Sequence, residues 1–321
     1  MLTREIIQRV RQIQIRTGRQ VADVLAGEYV SVFKGTGVEF DEVRPYAPGD
    51  DVRTIDWNVT ARMGMPFVKR YVEERQLTVM LMIDISASQD FGSARRSKRE
   101  ATAELCALLA FSAIRNDDKV GLTLFHGGIE QFIPPRKGQK HVLRVIREIL
   151  AHGREQGDDG SESEGGRRRL RLPWSGRRRP RTRRQDTNIG GAMEFLLRSA
   201  KRKTVCFVVS DFFDDGYERA MRTANRKHDV IAVHVVDARE KEMPEVGLIA
   251  LTDPETGKRG LYDTGSAAFR RRFDQHARER SDRIEQMFRG SKIDFISIDP
   301  TESVADPLIR FFRLRERRMR R

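Results

Sequence analysis

The chain has 321 residues, enough at ~150 per domain for about two domains or one large one. Hydrophobic residues make up 38%, charged residues 34%, and the formal net charge is +14. Two cysteines, Cys106 and Cys206, exclude a disulfide scaffold and a four-cysteine zinc site, and six histidines without an H-x-x-x-H pair argue against a helical zinc site. No apolar run approaches the ~20 residues of a membrane span. The opening MLTREIIQRVRQ mixes charge with apolar residues, unlike a secretory signal. The expectation is a soluble, reduced, cytoplasmic protein.

Residues 2–25 place Leu2, Ile6, Ile7, Val10, Ile13, Val21, Val24 and Leu25 at roughly helical spacing. The next stretch, to about residue 76, is rich in Val, Phe and Tyr and broken by Gly35, Gly37, Pro48, Gly49 and Gly64, which predicts short strands and turns. Within it Pro48-Gly49-Asp50 suits a tight turn, with glycine allowing positive φ. Asp56 and Trp57 are expected to anchor that turn, or else to form a recognition surface.

At Leu77 the pattern changes. LTVMLMID is a near-continuous apolar run, as in a strand buried on both faces. Residues 97–115 predict a helix, KVGLTLFHG a strand, IEQFIPP a hairpin partner, and QKHVLRVIREILAHG a helix ending at Gly153. Residues 153–185 run from an acidic, polar start into Arg167–Arg184, which holds ten arginines and no acid, and read as a disordered insert. Then follow a helix (TNIGGAMEFLLRSA), a strand (KTVCFVVSD), a helix (YERAMRTANRKH) and a strand (DVIAVHVVD). VGLIALTD and KRGLYD predict a hairpin, residues 266–289 a long polar helix, KIDFISID a strand, and 303–321 a last helix. Strands alternating with helices predict an α/β domain, a doubly wound, mostly parallel sheet over residues 77–300, after a β-rich extension at 1–76 and before a basic C-terminal helix at 301–321.

The excess positive charge belongs to Arg167–Arg184 and to Arg310–Arg321, where seven arginines face Glu316; the remainder is slightly acidic. Such runs bind phosphate backbones or anionic lipid surfaces, and equally serve as solvated appendages.

Parallel sheets bind ligands at the carboxyl ends of their strands. There this chain places oxygen side chains: Asp84, Ser86 and Ser88 after the first strand, Thr187 at a helix start, and Asp211 after the strand 203–210. Singly, each has a plain alternative, as a strand end, a turn or a helix cap. Together, two carboxylates and three hydroxyls suit magnesium or manganese, hard cations that keep some of their water.

The spacing Asp84-x-Ser86-x-Ser88, Thr187, Asp211 resembles the metal-ion-dependent adhesion site of von Willebrand factor type A domains. The resemblance implies a doubly wound sheet holding Mg at its top, with one position open to a partner's carboxylate. All five positions are filled; the insert before Thr187 is a departure. A longer resemblance covers nearly the whole chain. VEFDEVRPYAPGDDVRTIDWNVTARMGMPFVKRYVEERQ and VIAVHVVDAREKEMPEVGLIALTDPETG are similar to the bacterial "domain of unknown function fifty-eight" family. This implies partnership with a MoxR-type AAA+ ATPase and other type A proteins, in chaperone-like maturation or stress tolerance. Many members carry membrane spans, which this sequence lacks.

Enzyme signatures are missing. There is no G-x-x-x-x-G-K-[ST] loop and no G-x-S-x-G elbow, and Gly35-x-Gly37 lacks a third glycine. Cys106 and Cys206 read as core; His126 and His234 pack in or beside strands; His141, His152, His228 and His276 read as helix-surface residues. The expected function is therefore a non-enzymatic interaction module with Mg (or Mn) at Asp84, Ser86, Ser88, Thr187 and Asp211. The alternative is an electrostatic binder of nucleic acid or of the inner-membrane surface through Arg167–Arg184 and the tail.

Overall fold

The computed structural model describes residues 37–74, 76–93, 96–152, 187–252 and 259–319. The helical stripe at 2–25, the insert at 153–185 with its arginine run, and Asp186 lie outside the described residues.

The N-terminal extension is a two-stranded antiparallel ribbon, β1 (Gly37–Pro45) and β2 (Phe67–Glu74), closed at the pair Pro45 and Phe67. Its connection contains the expected turn. Gly49 sits at φ +107°, in the region that favours glycine, and the Asp50 carboxylate accepts from Arg44 Nη2 at 2.6 Å, Arg44 Nη1 at 2.9 Å and the Ala47 amide at 2.9 Å. The connection also holds a short helix, α1 (Trp57–Met63), where strands and turns were expected. Its cause is local: the Asp56 side chain caps the amides of Asn58 and Val59, and Gly64 closes the helix in the left-handed conformation. Trp57 is 69% exposed, so it anchors nothing; Asp56 instead joins the helix start to Lys69 on β2, 3.3 Å away.

The remainder is built on a six-stranded sheet of order β10-β7-β6-β3-β4-β5. Its strands are β3 (Thr78–Asp84), β4 (Lys119–Phe125), β5 (Ile129–Arg136), β6 (Val205–Ser210), β7 (Asp229–Val235) and β10 (Asp294–Ile298). All neighbours run parallel except β5, which returns antiparallel on one edge, where Pro134 and Pro135 are tolerated.

Alternate residues of the central strand feed two cores. Val79, Leu81 and Ile83 pack with α2 (Lys98–Arg115), α3 (Gln139–His152) and α8 (Ala305–Met319). Met80 and Met82 pack with α4 (Ile189–Ser199), α5 (Glu218–Lys227) and α7 (Ala267–Gly290). This is the doubly wound α/β arrangement expected from the sequence. Each such apolar side chain contributes about 1.5–3 kcal/mol by leaving water. A four-residue helix, α6 (Ala238–Lys241), follows β7, and the expected hairpin forms from β8 (Leu248–Thr252) and β9 (Arg259–Asp263).

Two further sequence expectations change. His228 is 2% exposed rather than on a helix surface. The C-terminal helix is also no mere appendage: Leu308 and Phe312 are fully buried, and Arg315 pairs with Asp229 and with Asp294. Cys106 and Cys206 lie in the core as expected, and burial pushes both thiols far above their ordinary range. No helix among the described residues is long and apolar enough to cross a membrane.

Candidate functional site

Because β3, β4, β6 and β7 are parallel, their carboxyl ends share one edge of the sheet, and β3 lies between β6 and β4. Asp84 closes β3 and is 2% exposed. Its Oδ1 accepts the Ser86 amide at 2.9 Å, which turns the chain out of the strand into a short 3-10 helix, Ala87–Asp90. Its Oδ2 accepts from Ser210 Oγ at 2.6 Å, across to the end of β6. Ser86 Oγ and Ser88 Oγ lie 3.0 Å apart, both buried.

Asp211 follows Ser210 and is also 2% exposed. Burial, and then the charge of Asp211, push the Asp84 carboxyl up to about 7. Asp211 is itself paired with a buried cation, the Lys98 ammonium 2.9 Å away, so the uncompensated buried carboxyl at this edge is Asp84. Phe212, next in the chain, holds a left-handed φ of 55°, a conformation that costs a bulky residue about 1–3 kcal/mol. It is held there by its ring, packed edge-on to Phe288 at 5.0 Å, and by its amide, which donates to Ser210 Oγ at 3.0 Å.

Thr187 is brought to the same edge by the start of α4. The Asn188 amide donates to the His126 carbonyl just beyond β4 at 2.8 Å, and the Ile189 amide donates to Asp214 Oδ2 beyond β6 at 2.7 Å. Residues 187–189 therefore span the gap between the two loops that flank the end of β3. The helix cap is Asn188, whose Oδ1 accepts the Gly191 amide at 2.7 Å. A Cβ at Gly191 would stand 3.0 Å from the Asn188 side-chain Nδ2, so glycine leaves room for the cap. With capping done by Asn188, Thr187 is relieved of that role. Its Oγ1 is buried without a hydrogen-bond partner among the described residues.

The sequence missed Lys98. Its side chain is fully buried, and Nζ donates to Asp211 Oδ2 at 2.9 Å and to Glu240 Oε1 at 2.7 Å. Burial works against the charge, but the two carboxylates outweigh it and hold the ammonium above its ordinary value. The available signal was a lysine on the same helical stripe as Ala101, Leu105 and Leu108, facing the core. Near Asp211, Arg280 of α7 stacks over the Phe213 ring at 4.1 Å.

The five oxygen residues thus lie at one sheet edge: Asp84, Ser86 and Ser88 linked by hydrogen bonds, Asp211 directly after the Ser210 whose hydroxyl donates to Asp84, and Thr187 on the bridging segment. Among the described residues no group of three or more His, Cys, Asp or Glu is placed to hold a metal ion. This set has two carboxylates and relies on hydroxyls for the rest. The donor set is still all oxygen, as a hard divalent cation requires, and the Thr187 hydroxyl, without a partner among the described residues, and the buried Asp84 carboxyl fit one.

A family model described as "Protein of unknown function DUF58" matches residues 42–283. The chain belongs to the DUF58 family. The uncharacterized protein Rv1480 of Mycobacterium tuberculosis is 28% identical to this DUF58 chain over 309 residues, covering 96% of it and 89% of the relative. Bacillus subtilis YeaD, also uncharacterized, is 26% identical over 111 residues, 34% of this chain and 26% of YeaD. Among solved structures, an aerotolerance-related membrane protein from Bacteroides fragilis gives a TM-score of 0.46 at 16% identity, over 76% of this chain and all (100%) of that one. The SpRpn10 VWA domain gives 0.36 at 13% identity, over 73% of this chain and 94% of the domain.

Proposed function

We propose that this DUF58 protein is a non-enzymatic interaction module that binds a partner's carboxylate through a divalent cation, Mg or Mn, at Asp84, Ser86, Ser88, Thr187 and Asp211. The observation that carries this reading is the pair of buried carboxylates, Asp84 and Asp211, at the ends of adjacent strands beside a buried threonine hydroxyl with no partner among the described residues. Two carboxylates leave a divalent cation coordinatively unsaturated, so water and one external oxygen complete its shell. The external oxygen is the partner's. Lys98 fixes Asp211 from behind and takes one of its oxygens, which favours a supporting role for Asp211 over full chelation. The partner that the family resemblance implies is a MoxR-type AAA+ ATPase, with other type A proteins as further candidates.

The test is a magnesium titration by calorimetry on wild type, Asp84→Asn and Thr187→Val, paired with co-precipitation of a purified MoxR-type ATPase in magnesium or in chelator. Wild type is expected to bind one metal ion and to retain the ATPase only with metal. Asp84→Asn is expected to lose both. Retention that ignores chelator and Asp84→Asn alike would remove the metal from the mechanism. Retention that instead vanishes at high salt would move the function to the arginine-rich segments, whose phosphate or lipid contacts are screened in that way.

A further inference from the structure

A second group of side chains lies beside this site, around the first turn of α2, and contains none of the five oxygen residues. Arg99 Nε donates to Asp90 Oδ1 at 2.6 Å, at the end of the 3-10 helix that carries Ser88. The other end of the guanidinium, Nη1 and Nη2, is buried without a hydrogen-bond partner among the described residues. The same holds for Gln89 Nε2, on the residue preceding Asp90, and for Thr102 Oγ1, one turn along α2 from Arg99. The three residues are 7%, 2% and 2% exposed. Leaving one buried polar group unsatisfied costs about 1–3 kcal/mol, so three such residues on the 3-10 helix and on the start of α2, which the Arg99–Asp90 pair ties together, call for an acceptor.

We propose that Arg99, Gln89 and Thr102 form a carboxylate-binding subsite. Every orphaned nitrogen there is a donor, and the Thr102 hydroxyl donates as readily as it accepts. The free Nη1/Nη2 edge matches the two oxygens of a carboxylate in a forked pair. The subsite requires no metal and stands or falls apart from the metal reading.

The test therefore runs in chelator on the full chain, with glutarate and inorganic phosphate as probes, followed by NMR or calorimetry. Saturable glutarate binding is expected, weakened about tenfold or more in Arg99→Gln by loss of the charge-assisted fork. Because a buried arginine is a risky replacement, Gln89→Leu and Thr102→Val are measured beside it, with circular dichroism to confirm folding. Each is expected to weaken glutarate without loss of structure. Phosphate binding in place of glutarate, with the same sensitivity to the variants, would overturn the carboxylate assignment. Wild type binding neither probe, or folded variants binding glutarate as wild type does, would overturn the subsite itself.

Discussion

Asp84 carries the clearest consequence of burial at the residue scale. Its carboxyl, ordinarily near 3.8, stands at about 7 in the folded chain, through burial and the neighbouring Asp211. Between those values the folded chain keeps a proton that the unfolded chain releases, so stability falls as pH rises through the window and levels off above it. At about 1.4 kcal/mol per pH unit, the penalty is on the order of a few kcal/mol once the pH passes the folded value. His234 works in the opposite sense. Burial holds its imidazole down to about 4 from 6.5, so stability is lost as pH falls from 6.5 towards 4. The two slopes partly cancel in the metal-free wild type. Asp84→Asn, which keeps the shape and removes the charge, is expected to be more stable than wild type at pH 8 by a few kcal/mol, the gap closing towards pH 4. Urea denaturation in chelator from pH 4 to 8 measures this. A variant that keeps the wild-type slope would show that Asp84 bears no such charge penalty.

At the scale of the element, the start of α4 separates structure from function within two residues. Asn188 caps the helix and Thr187 does not. Asn188→Ala is expected to cost about 1 kcal/mol in chemical denaturation. Thr187→Val removes a hydroxyl that satisfies nothing among the described residues. It is expected to be neutral or slightly stabilising without metal, and to weaken magnesium binding in the same titration that detects Asp84→Asn. A Thr187→Val chain that lost stability as Asn188→Ala does would place the hydroxyl in the helix cap instead. The sequence could place Thr187 near a helix start but could not choose the cap, because Asp186, Thr187 and Asn188 all have capping side chains. What decides it is the pair of tertiary anchors at His126 and Asp214, which sequence spacing does not encode. The same limit explains α1. A seven-residue helix rests on one cap and one glycine, too short for periodicity to register. The strands β3, β4, β6 and β7 were legible because burial on both faces writes a continuous apolar run, and α2, α3 and α7 because their length exceeds any turn.

At the scale of the whole molecule, the order of the sheet, not the order of the chain, makes the site. Asp84 and Asp211 are far apart in sequence and meet because β6 pairs directly with β3. The helical stripe marks Lys98 as core-facing, but only topology supplies its partners, since Asp211 and Glu240 arrive from the end of β6 and from α6. Charge composition misled where it was read without topology. The arginine tail reads as a detachable basic segment, yet Arg315 and Arg318 of α8 meet Asp294 at 3.0 Å each, and Arg315 also meets Asp229, the acids that open β10 and β7. One face of α8 thus supplies Leu308, Phe311 and Phe312 to the core, and its arginines neutralise strand ends opposite the candidate metal edge. These two roles predict different sizes of effect. Phe312→Ala is expected to cost about 3–5 kcal/mol through the cavity it leaves. Arg318→Ala, whose side chain is 72% exposed, is expected to cost under about 1 kcal/mol. Thermal or urea unfolding of the two variants in parallel checks the pair. If Phe312→Ala left stability untouched, α8 would be an appendage after all, and its arginines would return to the account as a free basic surface.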